Sequence, residues 1–248
     1  MEAVPTKLEK EPLIEAIWQL QFESPAIGDV LPGVLFSELK IRYPNLSLSR
    51  LPAADIPAPV AQVDPNLRFV AKVMMEEPGA PFRWQVGDRV VTLNCRKPYV
   101  GWEFFREEIT KLVAILQKSG LVANIQRHSL RYLDLLTLAP PPDLTALKLK
   151  VELGDHEIRQ NNCQLRLEIP VNSWVHVVQI VTPAKANLPD EVLEGTLVDL
   201  ETLSMSPPAD LQQALQELED LHGQSKDIFF RQILTASSIE KMQPEYEQ

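Results

Sequence analysis

The sequence predicts an α+β fold: a curved, mostly antiparallel sheet with long helices on one face, laid out as two pseudo-repeated β-α-β(n)-α halves. Three observations carry this expectation. In Gly101–Leu138 the apolar residues Trp102, Phe105, Ile109, Leu112 and Leu116 recur at helical intervals of 3, 4, 3 and 4. Behind Gly120 the period changes to two, with His128, Leu130, Tyr132, Asp134 and Leu136 alternating against Ser129, Arg131, Leu133 and Leu135. The succession of strand, helix, several strands and long helix that ends at this junction then starts again.

Residues 1–11 are polar and read as a flexible lead-in. Pro12–Phe22 alternates, with Ile14, Ala16, Trp18, Leu20 and Phe22 on one face and Glu15, Gln19 and Gln21 on the other, a half-buried strand. A loop with Pro25 and Gly28 leads to a helix over Asp29–Tyr43, with apolar positions Val30, Val34, Leu35, Leu39 and Tyr43, and Pro44 stops it. Asn45–Pro65 is rich in proline, which cannot donate to a sheet ladder, and holds one edge strand. Arg68–Met75, Phe82–Val86 and Arg89–Cys95 are strands, the last two joined by a tight turn at Gly87-Asp88. The helix that follows carries Glu103, Glu107 and Glu108 near its start and Lys111 and Lys118 toward its end, the order its dipole favours. Gly120 can take the left-handed conformation that ends it.

The second half opens with the strand Asn124–Leu138, broken by the three prolines within Ala139–Asp143. A short helix at Asp143–Lys150 and strands at Gln164–Val171, Trp174–Thr182 and Val192–Leu203 follow. Ser206–Asp210, with prolines tolerated in a first turn, opens a long helix to Leu234. Its stripe is Leu211, Leu215, Leu218, His222, Ser225, Phe229 and Ile233. The expected layout is a lead-in over 1–11, a first half over 12–120, a second half over 121–236 and a C-terminal tail over 237–248.

Composition narrows the classes. A chain of 248 residues that is 45% hydrophobic and 23% charged can bury a substantial core. No window holds 18 consecutive apolar residues, so no membrane span is expected. The opening MEAVPTKLEKEPL has no apolar signal region, and Cys95 and Cys163 read as reduced thiols, so the expected location is cytoplasmic. Residues 1–139 hold 16 Lys and Arg against 16 Asp and Glu, whereas residues 140–248 hold 8 against 18. The net charge of −10 therefore lies wholly in the second half, which would repel a polyanion and suit a basic partner.

Chemistry-bearing motifs are few. His128, His156, His176 and His222 include no i,i+4 pair, and no HExxH, CxxC or HxH occurs, so no metal is assigned. Asp155-His156-Glu157 reads as a solvated loop. No GxSxG, GxGxxG or GxxxxGK[ST] is present, and no catalytic residue or cofactor is assigned. Arg83, Arg89, Arg96, Lys97, Arg106 and Lys111 interleave with Trp84, Tyr99 and Trp102, but Asp88, Glu103, Glu107 and Glu108 dilute the cluster and disfavour nucleic acid. Three candidate binding residues remain. Glu15 and Arg131 are mid-strand charges opposite Trp18 and Tyr132, able to pair on a helix-free face if their strands are neighbours. His222 is a polar position on the apolar stripe of the last helix.

In tandem, two such halves would resemble the TATA-binding-protein-like arrangement, and one alone a helix-grip ligand binder. That likeness of architecture carries no function. PLIEAIWQLQF at Pro12–Phe22, RYP at Arg42–Pro44, PYVGWEFF at Pro98–Phe105, RYLD at Arg131–Asp134 and LH…IFFRQIL within Leu221–Leu234 together resemble an uncharacterised, sporadically distributed prokaryotic family of similar length. The resemblance spans nearly the whole chain and implies an accessory or mobile-element role, with no activity attached. The leading expectation is a non-catalytic interaction module, docking a protein partner or a second copy through the helix-free sheet face or the acidic second half. The alternative is a binder of a small apolar ligand, held between Leu211–Leu234 and the sheet with His222 as anchor. An enzyme or a nucleic-acid binder comes third.

Overall fold

A computed structural model describes residues 4–24, 30–57, 60, 64 and 67–246; the expected loop at Pro25 and Gly28, the helix start at Asp29 and part of the proline-rich stretch lie outside these. The elements begin β1 (Lys7–Leu8), β2 (Leu13–Glu23), α1 (Val30–Arg42), β3 (Ser47–Arg50), β4 (Val73–Glu76), β5 (Phe82–Val86) and β6 (Val90–Arg96). They continue with α2 (Trp102–Ser119), β7 (Ala123–Leu136), β8 (Glu152–Leu153), β9 (His156–Glu157), β10 (Cys163–Val171), β11 (Trp174–Asn187) and β12 (Val192–Ser204). Helices α3 (Leu211–Gln216), α4 (Leu218–Asp227) and α5 (Ala236–Lys241) and strand β13 (Pro244–Glu245) close the chain. The fold is α+β, built on a mostly antiparallel sheet of nine strands in the order β10-β11-β12-β7-β2-β6-β5-β4-β3. The strands expected to open the two halves, β2 and β7, are neighbours in it.

The chain divides into two compact units, Met1–Ile14 with Arg131–Thr202 and Asp220–Gln248 (unit 1), and Glu15–Leu130 with Leu203–Glu219 (unit 2). In unit 2, alternation in sequence becomes alternation of burial. Trp18, Leu20 and Phe22 of β2, Trp84 and Val86 of β5 and Leu93 and Cys95 of β6 are all fully buried. Tyr43, just behind α1, packs on Trp84 with ring centroids 4.8 Å apart. The apolar stripe of α2 is buried at Phe105, Ile109, Leu112 and Leu116, and the helix ends at Gly120 in the left-handed conformation, φ 64°. Arg42 reaches Glu108 at 2.5 Å and ties α1 to α2.

The core of unit 1 gathers Val178 and Ile180 of β11, Val198 and Leu200 of β12, and Leu136 of β7. Ile228, Phe229 and Ile233 cover them. Strands β12 and β7 approach so closely that a Cβ on Gly195 would lie 2.2 Å from the Leu136 carbonyl oxygen.

Four segments differ from expectation, two of them because a distant partner overrides a local pattern. The strand expected over Arg68–Met75 is only Val73–Glu76, with Lys72 still bonded on both sides, its carbonyl accepting from Leu51 N–H and its N–H donating to the Val86 carbonyl. Asp143–Lys150 is not helical. The Asp143 carboxylate accepts from Thr145 N–H and Oγ1, Leu147 bridges to Leu234, and Lys148 N–H donates to Ile233. The long closing helix starts where expected, with Asp210 accepting from Gln213 N–H at 2.8 Å. It is divided into α3, α4 and a π-helical stretch Ile228–Ile233, in which the wider turn lets Ile228 and Phe229 both face inward. Residues 1–11 and the tail are not both loose: β1 pairs with β13, Lys7 against Glu245 and Leu8 against Pro244.

Glycine substitutions separate these constraints. Gly195→Ala should cost about 2–4 kcal/mol, because backbone must move. Gly33→Ala, in α1 with nothing within 4 Å of the new Cβ, should stabilise by up to about 1 kcal/mol. Equilibrium urea denaturation of both variants measures the contrast.

Candidate binding site

Because a strand presents alternate residues to opposite faces, the residues between the core positions of β2, β5 and β6 form a second surface in unit 2. In one row across it Gln19 stands opposite Thr92, and Thr92 opposite Gln85; in the next, Ile17 stands opposite Asn94, and Asn94 opposite Arg83. Thr92 Oγ donates to Asn94 Oδ1 at 2.8 Å, and Asn94 Nδ2 donates to Glu15 Oε1 at 2.9 Å. Asn94 and Thr92 are only 4% and 7% exposed. Glu15 is thus the end of a side-chain relay that holds the Asn94 amide in one orientation. Arg96 stands directly opposite Glu15 but shares Glu76 with Arg83, at 3.4 and 3.1 Å.

In unit 1, Arg131 stands on β7 between the residues that face the helices. Its Nε and Nη2 grip the two oxygens of Asp199 at 2.6 and 2.5 Å, a bidentate pair, and Gln179 Nε2 adds a contact of 3.4 Å to the same carboxylate. Asp199 is buried while the guanidinium stays partly exposed, so the pair presents a fixed planar cation edge at the surface.

The helix side of unit 1 holds buried polar groups whose charged forms burial disfavours. His222 Nδ1 lies 2.9 Å from Tyr132 Oη, and burial, with Lys226 nearby, pushes the imidazole down to about 3. His176 Nδ1 meets Thr202 Oγ1 at 3.0 Å, Thr202 meets Ser225 Oγ at 2.9 Å, and burial lowers this imidazole as well. Burial, and then the charge of Glu11, pushes the Asp134 carboxyl well above the usual carboxylate range. In unit 2, Trp18 Nε1 donates to His128 Nε2 at 2.9 Å.

A half-open groove of about 320 Å³ lies in unit 2 where α2 ends, β7 begins and α3 starts, lined by Leu116, Gly120, Val122, Ile125, Asp210 and Leu211 among others; His222 is not in its lining. The basic cluster read from the sequence is largely neutralised: besides Arg83 and Arg96 on Glu76, Arg89 meets Glu23, Arg106 meets Glu103 and Glu219, and Lys111 meets Glu107. Trp84 is fully buried. Among the described residues no three His, Cys, Asp or Glu side chains converge as a metal site, and no helix is long and apolar enough to cross a membrane. Asp199, Gln179, Thr92 and Asn94 were not singled out from sequence; the signal was a polar residue at alternate positions within an apolar strand. No family model, curated protein or solved structure matches the chain.

Acid titration tests these buried groups. Below pH about 6.5 the unfolded chain takes up protons that buried His222 and His176 refuse. Stability should therefore be full above that pH and fall below it, the His222 part continuing toward pH 3 at up to about 1.4 kcal/mol per pH unit. His222→Gln should remove one proton from that slope. Asp134 has the opposite sign, its contribution being lost as pH rises above the ordinary carboxylate value. Asp134→Asn should raise the denaturation midpoint at neutral pH and leave it little changed at pH 3.

Proposed function

We propose that the protein is a non-catalytic binding module whose recognition surface is the sheet face away from the buried tryptophans. The observation that carries this reading is the floor of that face in unit 2. An ordinary solvent-facing sheet surface mixes Lys, Glu and Arg. Here the charges Glu15, Arg83 and Arg96 border a neutral patch in which Gln19, Gln21, Gln85, Thr92 and Asn94 lie half-buried or buried, and Asn94 is held by Thr92 and Glu15. Neutral amides and hydroxyls cost less to desolvate than charges, and side chains already held in place lose less entropy on binding. Such a floor suits a protein surface rich in backbone or side-chain amides. The accessory or mobile-element role implied by the family resemblance fits a module of this kind.

The strand order also supports a duplicated plan. From β2 the sheet steps to β6, β5, β4 and β3; from β7 it steps to β12, β11 and β10. In each half the first strand pairs with the last of its meander and the rest follow outward in reverse. This is the TATA-binding-protein-like reading, with the same caution that architecture brings no ligand with it.

A partner co-purified from the source cell provides the test. Gln19→Arg with Gln85→Arg should reduce its retention roughly tenfold or more, while Lys118→Glu on α2 leaves it unchanged. Retention by the double arginine variant at the wild-type level would overturn the assignment of this face. The second reading, a small apolar ligand, has its support in the groove beside Leu116, Ile125 and Leu211.

A further inference from the structure

Strand β10 forms one edge of the nine-stranded sheet and pairs with β11 along its whole length, Cys163 against Thr182 through Val171 against Trp174. A two-residue turn, Asn172-Ser173, joins them. The residues flanking such a turn are a hydrogen-bonded pair, so the amides of the odd-numbered residues point toward β11. Those of Gln164, Arg166 and Glu168 therefore point outward. Pro170 has no N–H, but its carbonyl also points outward.

An exposed edge of nine residues is a template for another strand, and natural sheets usually blunt such an edge with charge or proline. Charges of one sign would do so here. The sequence of β10, CQLRLEIPV, instead sets one cation and one anion symmetrically about Leu167. Arg166 and Glu168 lie on the same face, paired at 2.7 Å, each more than half exposed. On the opposite face Cys163, Leu165 and Ile169 pack only partly against the core, and Leu167 is 38% exposed.

We propose that β10 is the interface of a twofold dimer, pairing antiparallel with β10 of a second copy about an axis through Leu167. In that register Arg166 faces Glu168 of the second copy, and Glu168 faces its Arg166. The N–H groups of Arg166 and Glu168 meet each other's carbonyls across the axis, and Gln164 N–H meets the Pro170 carbonyl. Every outward amide hydrogen of the strand finds an acceptor, and proline falls where its lost donor costs least. Leu165 lies beside Ile169 of the second copy, and the two Leu167 side chains cover each other. Centring the axis two residues away in either direction sets no charge against its opposite. A parallel, in-register pairing sets like charges together and is disfavoured. The interface is small, so association should depend on concentration. This inference is independent of the binding role proposed for the sheet face.

Sedimentation velocity on the full chain, from low micromolar concentration upward, provides the test. The wild type should pass from monomer to dimer. Arg166→Glu and Glu168→Arg should each weaken the dimer roughly tenfold or more, by setting like charges across the axis. An equimolar mixture of the two variants should form a heterodimer, because one copy then carries two anions and the other two cations. The double exchange should restore the homodimer. In a Cys163→Ser background, Leu167→Cys should form a disulfide between copies on mild oxidation, since the close pair on the axis is within bridging distance. A wild type that stays monomeric throughout, as it would if the edge receives a strand from another protein, overturns the proposal. So does a dimer indifferent to both single exchanges, or a mixture that does not recover association.

Discussion

The buried indole N–H of Trp18 is answered from within the protein, and that pairing anchors the core of unit 2. Trp18 is fully buried in β2, and its donor is accepted by His128 Nε2 at 2.9 Å, the rings meeting edge-on at 72°. Accepting at Nε2 forces the neutral His128 to carry its proton on Nδ1, which faces Glu217 Oε2 at 3.8 Å. That distance is too long for a direct hydrogen bond but close enough for the carboxylate to favour this tautomer. A slip of β2 by one residue would turn Trp18, Leu20 and Phe22 to the opposite face and orphan both rings. The register that buries the tryptophan is also the one that sends Glu15, Ile17 and Gln19 the other way. Core chemistry and surface chemistry are thus set by one pairing.

The two sides of the sheet handle polarity differently. On the helix side burial disfavours the charged forms of His222, His176 and Asp134, and the two histidines keep hydrogen-bond partners in Tyr132 and Thr202. On the other side Arg131 holds the buried Asp199 carboxylate in a bidentate grip while its guanidinium stays partly exposed. Shifted titratable groups often mark catalysis. Here each shift is produced first by burial, and each histidine has a hydroxyl from a neighbouring element as its partner. Those features account for the shifts as packing effects.

Legibility in the sequence followed distance along the chain. Strand β5 was readable to the residue, and β2, β10 and α2 nearly so, because period two and period 3.6 are local signals. The pairing of β1 with β13 joins residues at opposite ends of the chain, and nothing within two residues announces it. Asp143–Lys150 has helical spacing, yet it is drawn into contacts with Leu234 and Ile233. Site residues behaved likewise. Arg131 and Glu15 stood out as mid-strand charges, but their partners Asp199 and Asn94 are 68 and 79 positions away and follow from strand order alone. The position of His222 on the stripe was readable; its hydrogen bond to Tyr132 required knowing that α4 lies over β7.

The two edges of the sheet show how differently the same exposure can be managed. At one end β3 is four residues long, exposed throughout, and turns its own serines back on β4: Ser47 Oγ donates to the Glu76 carbonyl and Ser49 Oγ to that of Met74. A strand so short offers too few hydrogen bonds to order an incoming chain against the entropy lost. At the other end β10 has more than twice that length, continuous pairing on its inner side and a row of half-covered aliphatic side chains. If selection had acted only to keep that edge solitary, a second lysine or arginine in place of Glu168 would have served at no cost to the fold, since both positions are exposed. Opposite charges equidistant from Leu167 achieve the reverse: they penalise a misaligned strand and favour one copy of themselves. The asymmetry between the edges is therefore informative, because shortness alone protects one and self-complementary charge selects the neighbour of the other.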